Sequence, residues 1–150
     1  MAEKGKYVYE WPRPMVTVDA AVFSTAGSKP QVLLIKRGRE PNKGLWAFPG
    51  GFLEIDEELI DGAVRELREE TGLTGIELKQ MHTFGTIGRD PRGRLVTIVY
   101  TGVIKQTREI SAGDDAEEAK WFDIDELPEM AFDHEIVAKM ARARTGFGGK

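Results

Sequence analysis

The stretch GGFLEIDEELIDGAVRELREETGL, residues 50–73, decides the reading of this chain. From Asp56 onward its apolar residues take up a helical period. Ile60, Ala63, Val64, Leu67 and Thr71 fall within a narrow arc at about 100° per residue, the core stripe of an amphipathic helix. Asp56 is the expected N-cap, and Gly72 the expected residue just past the helix end. Gly62 inside the helix costs about 1 kcal/mol against alanine, so packing is expected to hold it there. Glu66, Glu69 and Glu70 occupy a roughly 100° arc flanking the apolar stripe, which sets three carboxylates at the rim of the core. Like charges at this spacing repel by roughly 0.2–0.5 kcal/mol. Three hard oxygen ligands suit Mg²⁺ or Mn²⁺, which keep several waters and are usually shared with substrate phosphates. A solvated acidic face is the plain alternative. Gly50 and Gly51, which let backbone approach closely before the helix, and Arg65 among the acids weigh against it.

Gly51, five residues, Glu57, seven residues and then RELREETGL resembles the Nudix box, GX5EX7REUXEEXGU with U aliphatic. Gly51, Glu57, Arg65, Glu66, Leu67, Glu69, Glu70, Gly72 and Leu73 fill every fixed position. The resemblance implies an α/β/α sandwich with a mixed β-sheet between helices, and a hydrolase that cleaves a nucleoside diphosphate linked to another moiety. It implies ligation of two or more Mg²⁺ or Mn²⁺ ions by Glu66, Glu69 and Glu70, with the Gly50 carbonyl as an additional ligand. Glu57 and Arg65 are similar to the pair that orients the family's helix within its catalytic set. The proton acceptor stays open among a box glutamate such as Glu66 and the later Glu117 and Glu118. Glu118 is similar to a family position that binds metal or activates water.

The segments around the box fit an α/β chain. MVTVDAAVF (15–23) puts Val16, Val18, Ala20 and Val22 on one face, a half-buried strand by its period of two. QVLLIKR (31–37) reads as a short buried strand, and GREPNKGLW (38–46) as a loop. Strands are expected around residues 76–86 and 94–104, separated by the loop IGRDPRG (87–93), with a last strand and turn over 116–128. FDHEIVAKMARAR (132–144) closes the chain with Phe132, Ile136 and Met140 at helical spacing. One domain over 1–150 is expected, with 146–150 a flexible tail.

Composition bounds the function. The 150 residues hold one hydrophobic core, and 41% hydrophobic with 31% charged residues is a globular balance. A net charge of −4 gives no general attraction to nucleic acid. The absence of cysteine removes disulfides, thiolate metal sites and a thiol nucleophile. No run approaches the roughly 18 apolar residues of a membrane span. A cytoplasmic protein with no membrane partner is expected. Family likeness implies a homodimer, with YVYEW (7–11) the segment to suspect.

Segments outside the box bear on the substrate. Arg89 and Arg92 in GRDPRG suit bidentate phosphate contacts, and Arg37 and Arg39 ahead of the box can reach phosphates. RDPRG followed by a strand, and AFDHEIV (131–137), resemble stretches in one group of ADP-ribose pyrophosphatases. The proline that many such enzymes carry 15 residues beyond the box is Gly88 here, a departure. Phe132, Trp46 and Phe84 are candidate stacking surfaces for adenine, against the commoner role of core aromatics. His82 and His134 lack metal spacing and read as structural. The expected substrate is ADP-ribose, split to AMP and ribose 5-phosphate. The alternatives are a nucleoside triphosphate pyrophosphohydrolase and a nucleotide-sensing module without catalysis. Sensors of that kind normally carry a further DNA-binding domain, and none is expected within these 150 residues.

Overall fold

The computed structural model describes residues 5–106 and 108–147. Strand β1 (Met15–Ser24) runs through the middle of a seven-stranded sheet. It pairs in parallel with β6 (Leu95–Ile104), from Met15 opposite Leu95 to Ser24 opposite Ile104. The other pairings are antiparallel. β2 (Gln31–Arg37) lies against β1 and carries the short β3 (Trp46–Ala47) and β7 (Ala116–Asp123). β4 (Gly50–Phe52) lies against β1, and β5 (Lys79–Phe84) closes the far edge on β6.

Helices α1 (Leu59–Thr71) and α2 (His134–Arg144) cover opposite faces. Ala20, Val22 and Leu33 pack with Leu67 and Leu73. Ala21, Phe23, Val32 and Leu34, one residue out of phase, pack with Val137, Ala138 and Ala141. Side chains alternate across a strand, so these two sets face opposite sides and the chain is a three-layer α/β/α sandwich with a mixed sheet. This also corrects the half-buried reading of residues 15–23. β1 is buried on both faces from Thr17 to Ser24, because each face has a helix over it.

Helix α1 starts later than Asp56. Glu58 is its N-cap residue and makes no side-chain cap bond. Ile60 is 36% exposed, whereas Gly62, Ala63, Glu66, Leu67, Glu70 and Thr71 are buried. The inward face therefore includes two of the glutamates. Gly72 ends the helix at φ 79°, the left-handed conformation glycine adopts without penalty. A Cβ at Gly62 would stand 3.1 Å from Leu53 and 3.2 Å from Val18, so packing does hold this glycine.

The closing helix is also shifted. Phe132 precedes it, Ile136 is 61% exposed, and the inward side chains are His134, Val137, Ala138 and Ala141. The expected tail is pinned where it is described: the Phe147 ring lies 5.4 Å from that of Phe23, and Arg142 Nε donates to the Phe147 carbonyl at 2.7 Å. Residues 148–150 lie outside the described residues. The YVYEW segment forms no strand, and its Val8 and Trp11 are exposed. Among the described residues no helix is long and apolar enough to cross a membrane.

Candidate active site

A cavity of about 530 Å³ opens between α1, the loop after β5 and the start of α2. That is within the roughly 300–1,000 Å³ of small-molecule sites. Arg65, Glu66, Glu69 and Glu70 line one end, and Arg37, Arg92 and Phe132 also contribute to its wall.

The acidic end is built by close approach of backbone to carboxylates. A Cβ at Gly50 would collide with the Asp19 carboxylate and the Val18 carbonyl, and one at Gly51 would lie 2.6 Å from Glu66 Oε1. The Gly50 amide donates to Glu70 Oε1 at 2.7 Å. Arg65 supplies the counter-charge. Its Nε and Nη2 donate to the two oxygens of Glu57 at 3.0 and 2.7 Å, and Nη1 donates to Glu66 at 2.7 Å and Glu69 at 3.2 Å. Nη2 also reaches the Phe52 carbonyl at 3.1 Å, tying β4 to α1. These hydrogen bonds hold Glu57 below its ordinary carboxylate range.

The expected convergence of Glu66, Glu69 and Glu70 on one point is not realised. Among the described residues no three acidic or histidine side chains are arranged to hold an ion. Arg65 bridges Glu66 and Glu69, while Glu70 turns to the Gly50 amide. The donors nevertheless fit a hard divalent cation. The Glu66 and Glu70 carboxylates are buried against the Gly50 and Gly51 backbone, and the acidic side chains of α1 present oxygen donors.

Burial pushes Glu66 up to about 7 and Glu70 up to about 9. Each then binds its proton more tightly folded than unfolded, where 4.5 is ordinary. Their contribution to stability is complete below about pH 4.5 and is lost as pH rises through 7 and then 9. In buffer with chelator, Tm should fall by roughly 5 °C or more between pH 5 and 9, read by circular dichroism at each pH.

The floor of the cavity holds a group the sequence reading passed over. Asp19 is buried on the α2 face of β1, accepts a hydrogen bond from Thr97 Oγ1 at 2.5 Å, and lies 4.0 Å from His134 Nε2. His134 Nδ1 accepts from the Phe48 amide at 3.0 Å, which leaves the ring proton on Nε2, facing Asp19. Burial raises Asp19 and lowers His134, so each is displaced toward its neutral form. A lone aspartate within the apolar MVTVDAAVF was the available signal.

The substrate-side residues divide. Arg37 Nε donates to the Pro41 carbonyl at 2.9 Å, and its guanidinium lies 4.9 Å from the Phe132 ring centre. Arg39 pairs with Asp115. Arg92 is held by Asp90 through bonds of 3.0 and 2.8 Å, over the rings of Phe52 and Phe132. Arg89 lines the cavity, but Asp133 takes two of its donors. Trp46 meets Phe122 edge-on and Phe84 is buried; both belong to the core and neither lines the cavity.

Glu118 does not reach the site. Its side chain on β7 is 55% exposed and pairs with Lys36 at 3.4 Å, and Glu117 is also outside the cavity. Asp114 and Asp115, just before β7, line it instead, and the Asp114 charge acts on both Glu66 and Glu70. The strand's period turns residue 118 away from the cavity while the preceding loop folds over it.

Comparison with known proteins agrees with this geometry. The NUDIX domain model matches residues 13–141. The chain is 42% identical over 127 residues to the ADP-ribose pyrophosphatase of Methanocaldococcus jannaschii, across 84% of this chain and 72% of that protein. It is 37% identical over 139 residues to the ADPR responsive transcriptional repressor NtrR of Acinetobacter baylyi, across 90% of this chain but 56% of the repressor. It superposes with a TM-score of 0.83 and 33% identity on the NUDIX domain of Shewanella oneidensis NrtR complexed with ADP ribose, covering 90% of each chain. Sequence, fold and match together place this chain in the Nudix family of pyrophosphohydrolases.

Proposed function

We propose that the protein hydrolyses the diphosphate of ADP-ribose to AMP and ribose 5-phosphate, with divalent metal ions held by the α1 carboxylates. The observation that carries the reading is a single cavity with the acidic helix at one end and Phe132 with two guanidinium groups in its wall. The pyrophosphatase relative and the ADP-ribose held by the Shewanella domain support the choice of ligand.

Glu66, Glu69, Glu70 and the Gly50 carbonyl would hold two or more Mg²⁺ or Mn²⁺ ions, which neutralise phosphate charge and make a bound water more acidic. The chain's own contribution is positioning and proton handling. Arg37 and Arg92 offer donors to the diphosphate, and Phe132 offers a face to the adenine. A water attacks one phosphorus in line with the departing oxygen, and a cavity carboxylate takes its proton. Asp114 replaces Glu118 as the later-loop candidate for that step, beside Glu66. Bound cation favours the ionised carboxylates, so millimolar Mg²⁺ should flatten the fall of Tm with pH. A cytoplasmic homodimer joined through residues 7–11 completes the proposal.

The experiment is hydrolysis of ADP-ribose, NADH, diadenosine polyphosphates and oxidised dGTP, each with Mg²⁺ and with chelator. A kcat/KM for ADP-ribose above the others by about tenfold, or about 1.4 kcal/mol in transition-state binding, is expected. Preference for the triphosphate moves the protein to nucleotide clean-up. The repressor relatives favour one second reading, a sensor that binds ADP-ribose without turnover. Tight binding with negligible hydrolysis would select it.

A further inference from the structure

Arg89 reads from sequence as a phosphate ligand, yet much of its binding capacity is already engaged. Nε and Nη2 donate to the two carboxylate oxygens of Asp133 at 2.9 and 2.7 Å, and only 3% of the Arg89 side chain is exposed. Asp133 stands at the N-cap position of α2 but makes no capping bond. An aspartate there ordinarily accepts from the helix's first amides. Here its carboxylate is given to the loop between β5 and β6.

The pair grips the backbone between two cavity residues. On one side is Phe132, at φ 50°, a conformation unfavourable for a bulky residue and kept only where its surroundings over-determine it. On the other is His134, anchored to the Phe48 amide. The same loop sets what lies on the Phe132 ring. Asp90, 4% exposed, accepts from the Arg92 amide at 2.9 Å as well as from its guanidinium, which is thereby held 5.3 Å from the Phe132 ring centre. RDPRG and AFDHE thus form one interlocked unit, although some forty residues separate Arg89 from Asp133.

We infer that Arg89 is a positioning residue: through Asp133 it fixes Phe132 as the aromatic wall against which the nucleobase lies, and it does not bind the phosphates itself. This deepens the nucleotide reading above and rests on it. A planar, two-point pair fixes direction as well as distance, which a lysine ammonium cannot reproduce.

The test is a double-mutant cycle on AMP affinity, measured by calorimetry for the wild type, Arg89→Lys, Phe132→Ala and the double variant. Arg89→Lys should weaken AMP about tenfold in the wild-type background and by less than about twofold once Phe132 is alanine. Steady-state hydrolysis of ADP-ribose should place the loss in KM. Asp133→Asn, nearly the same shape, should repeat the pattern and guards against a lysine variant that fails to fold. A tenfold loss in both backgrounds makes Arg89 a direct ligand and overturns the inference. So does a lowered Tm with unchanged AMP affinity, which makes the pair merely structural, and so does a wild type that binds no AMP. A wild type that binds AMP but leaves ADP-ribose intact defeats the proposed function, while the AMP cycle still decides the role of Arg89.

Discussion

Glu70→Gln should lower kcat by about 10²–10³-fold with the fold intact, the scale on which loss of one preorganised charged contact acts. The amide matches the carboxylate in shape, and its oxygen can still accept from the Gly50 amide that now bonds Glu70 at 2.7 Å. What it removes is the negative charge. Because burial already pushes Glu70 up to about 9, the neutral amide imitates the form that the folded protein favours. Its Tm in chelator at about pH 8 should therefore equal or exceed that of the wild type. Turnover at saturating substrate with Mg²⁺, and Tm with and without the ion, check both halves. Undiminished activity with unchanged metal dependence would remove this helix from the metal site.

Arg65→Leu should destabilise the protein by roughly 2–3 kcal/mol, or about 5–10 °C in Tm, and remove most activity as well. Arg65 is 15% exposed and satisfies Glu57, Glu66, Glu69 and the Phe52 carbonyl together. Leucine fills part of the volume but leaves Glu57, Glu66 and Glu69 without their shared counter-charge and one carbonyl without its donor. The estimate lies below the roughly 3–5 kcal/mol of a fully buried broken pair, because the rim of the site is open to solvent. Urea unfolding near neutral pH measures it. Arg65→Lys should fall between the two, keeping the charge but losing the two-point bond to Glu57. A leucine variant as stable as the wild type would show that the glutamates have no need of this partner.

The box was readable because its chemistry is local. Glu57, Arg65, Glu66, Glu69 and Glu70 lie on or just before one helix, so their spacing in sequence is nearly their spacing in space. Helix boundaries were less readable. Asp56 has the right side chain for a cap, but the chain turns into the helix only at Leu59, and Gly62 in its first turn seats against Leu53 and Val18, contacts that no local pattern shows. Glu118 shows the opposite limit. An acidic loop before a strand promised a catalytic carboxylate, but which acid enters the cavity depends on where β7 begins, and that depends on its register with β2. That register sets Glu118 opposite Lys36, at the surface, with an irregularity between Lys36 and Arg37 where the strand begins.

By itself the sequence determined the family, the alternation of strands and helices, and an acidic helix entered through two glycines. Each is written in short-range pattern: hydrophobic period, glycine placement and charges three and four apart. Only the tertiary structure decided that Asp19, Thr97 and His134 meet beneath the cavity, that Arg89 belongs to Asp133, and that Asp114 rather than Glu118 faces the glutamates. Those partners come from different strands, loops and helices. Their meeting follows from the parallel register of β1 with β6 and from the seat of α2 on the sheet, neither of which a local pattern encodes.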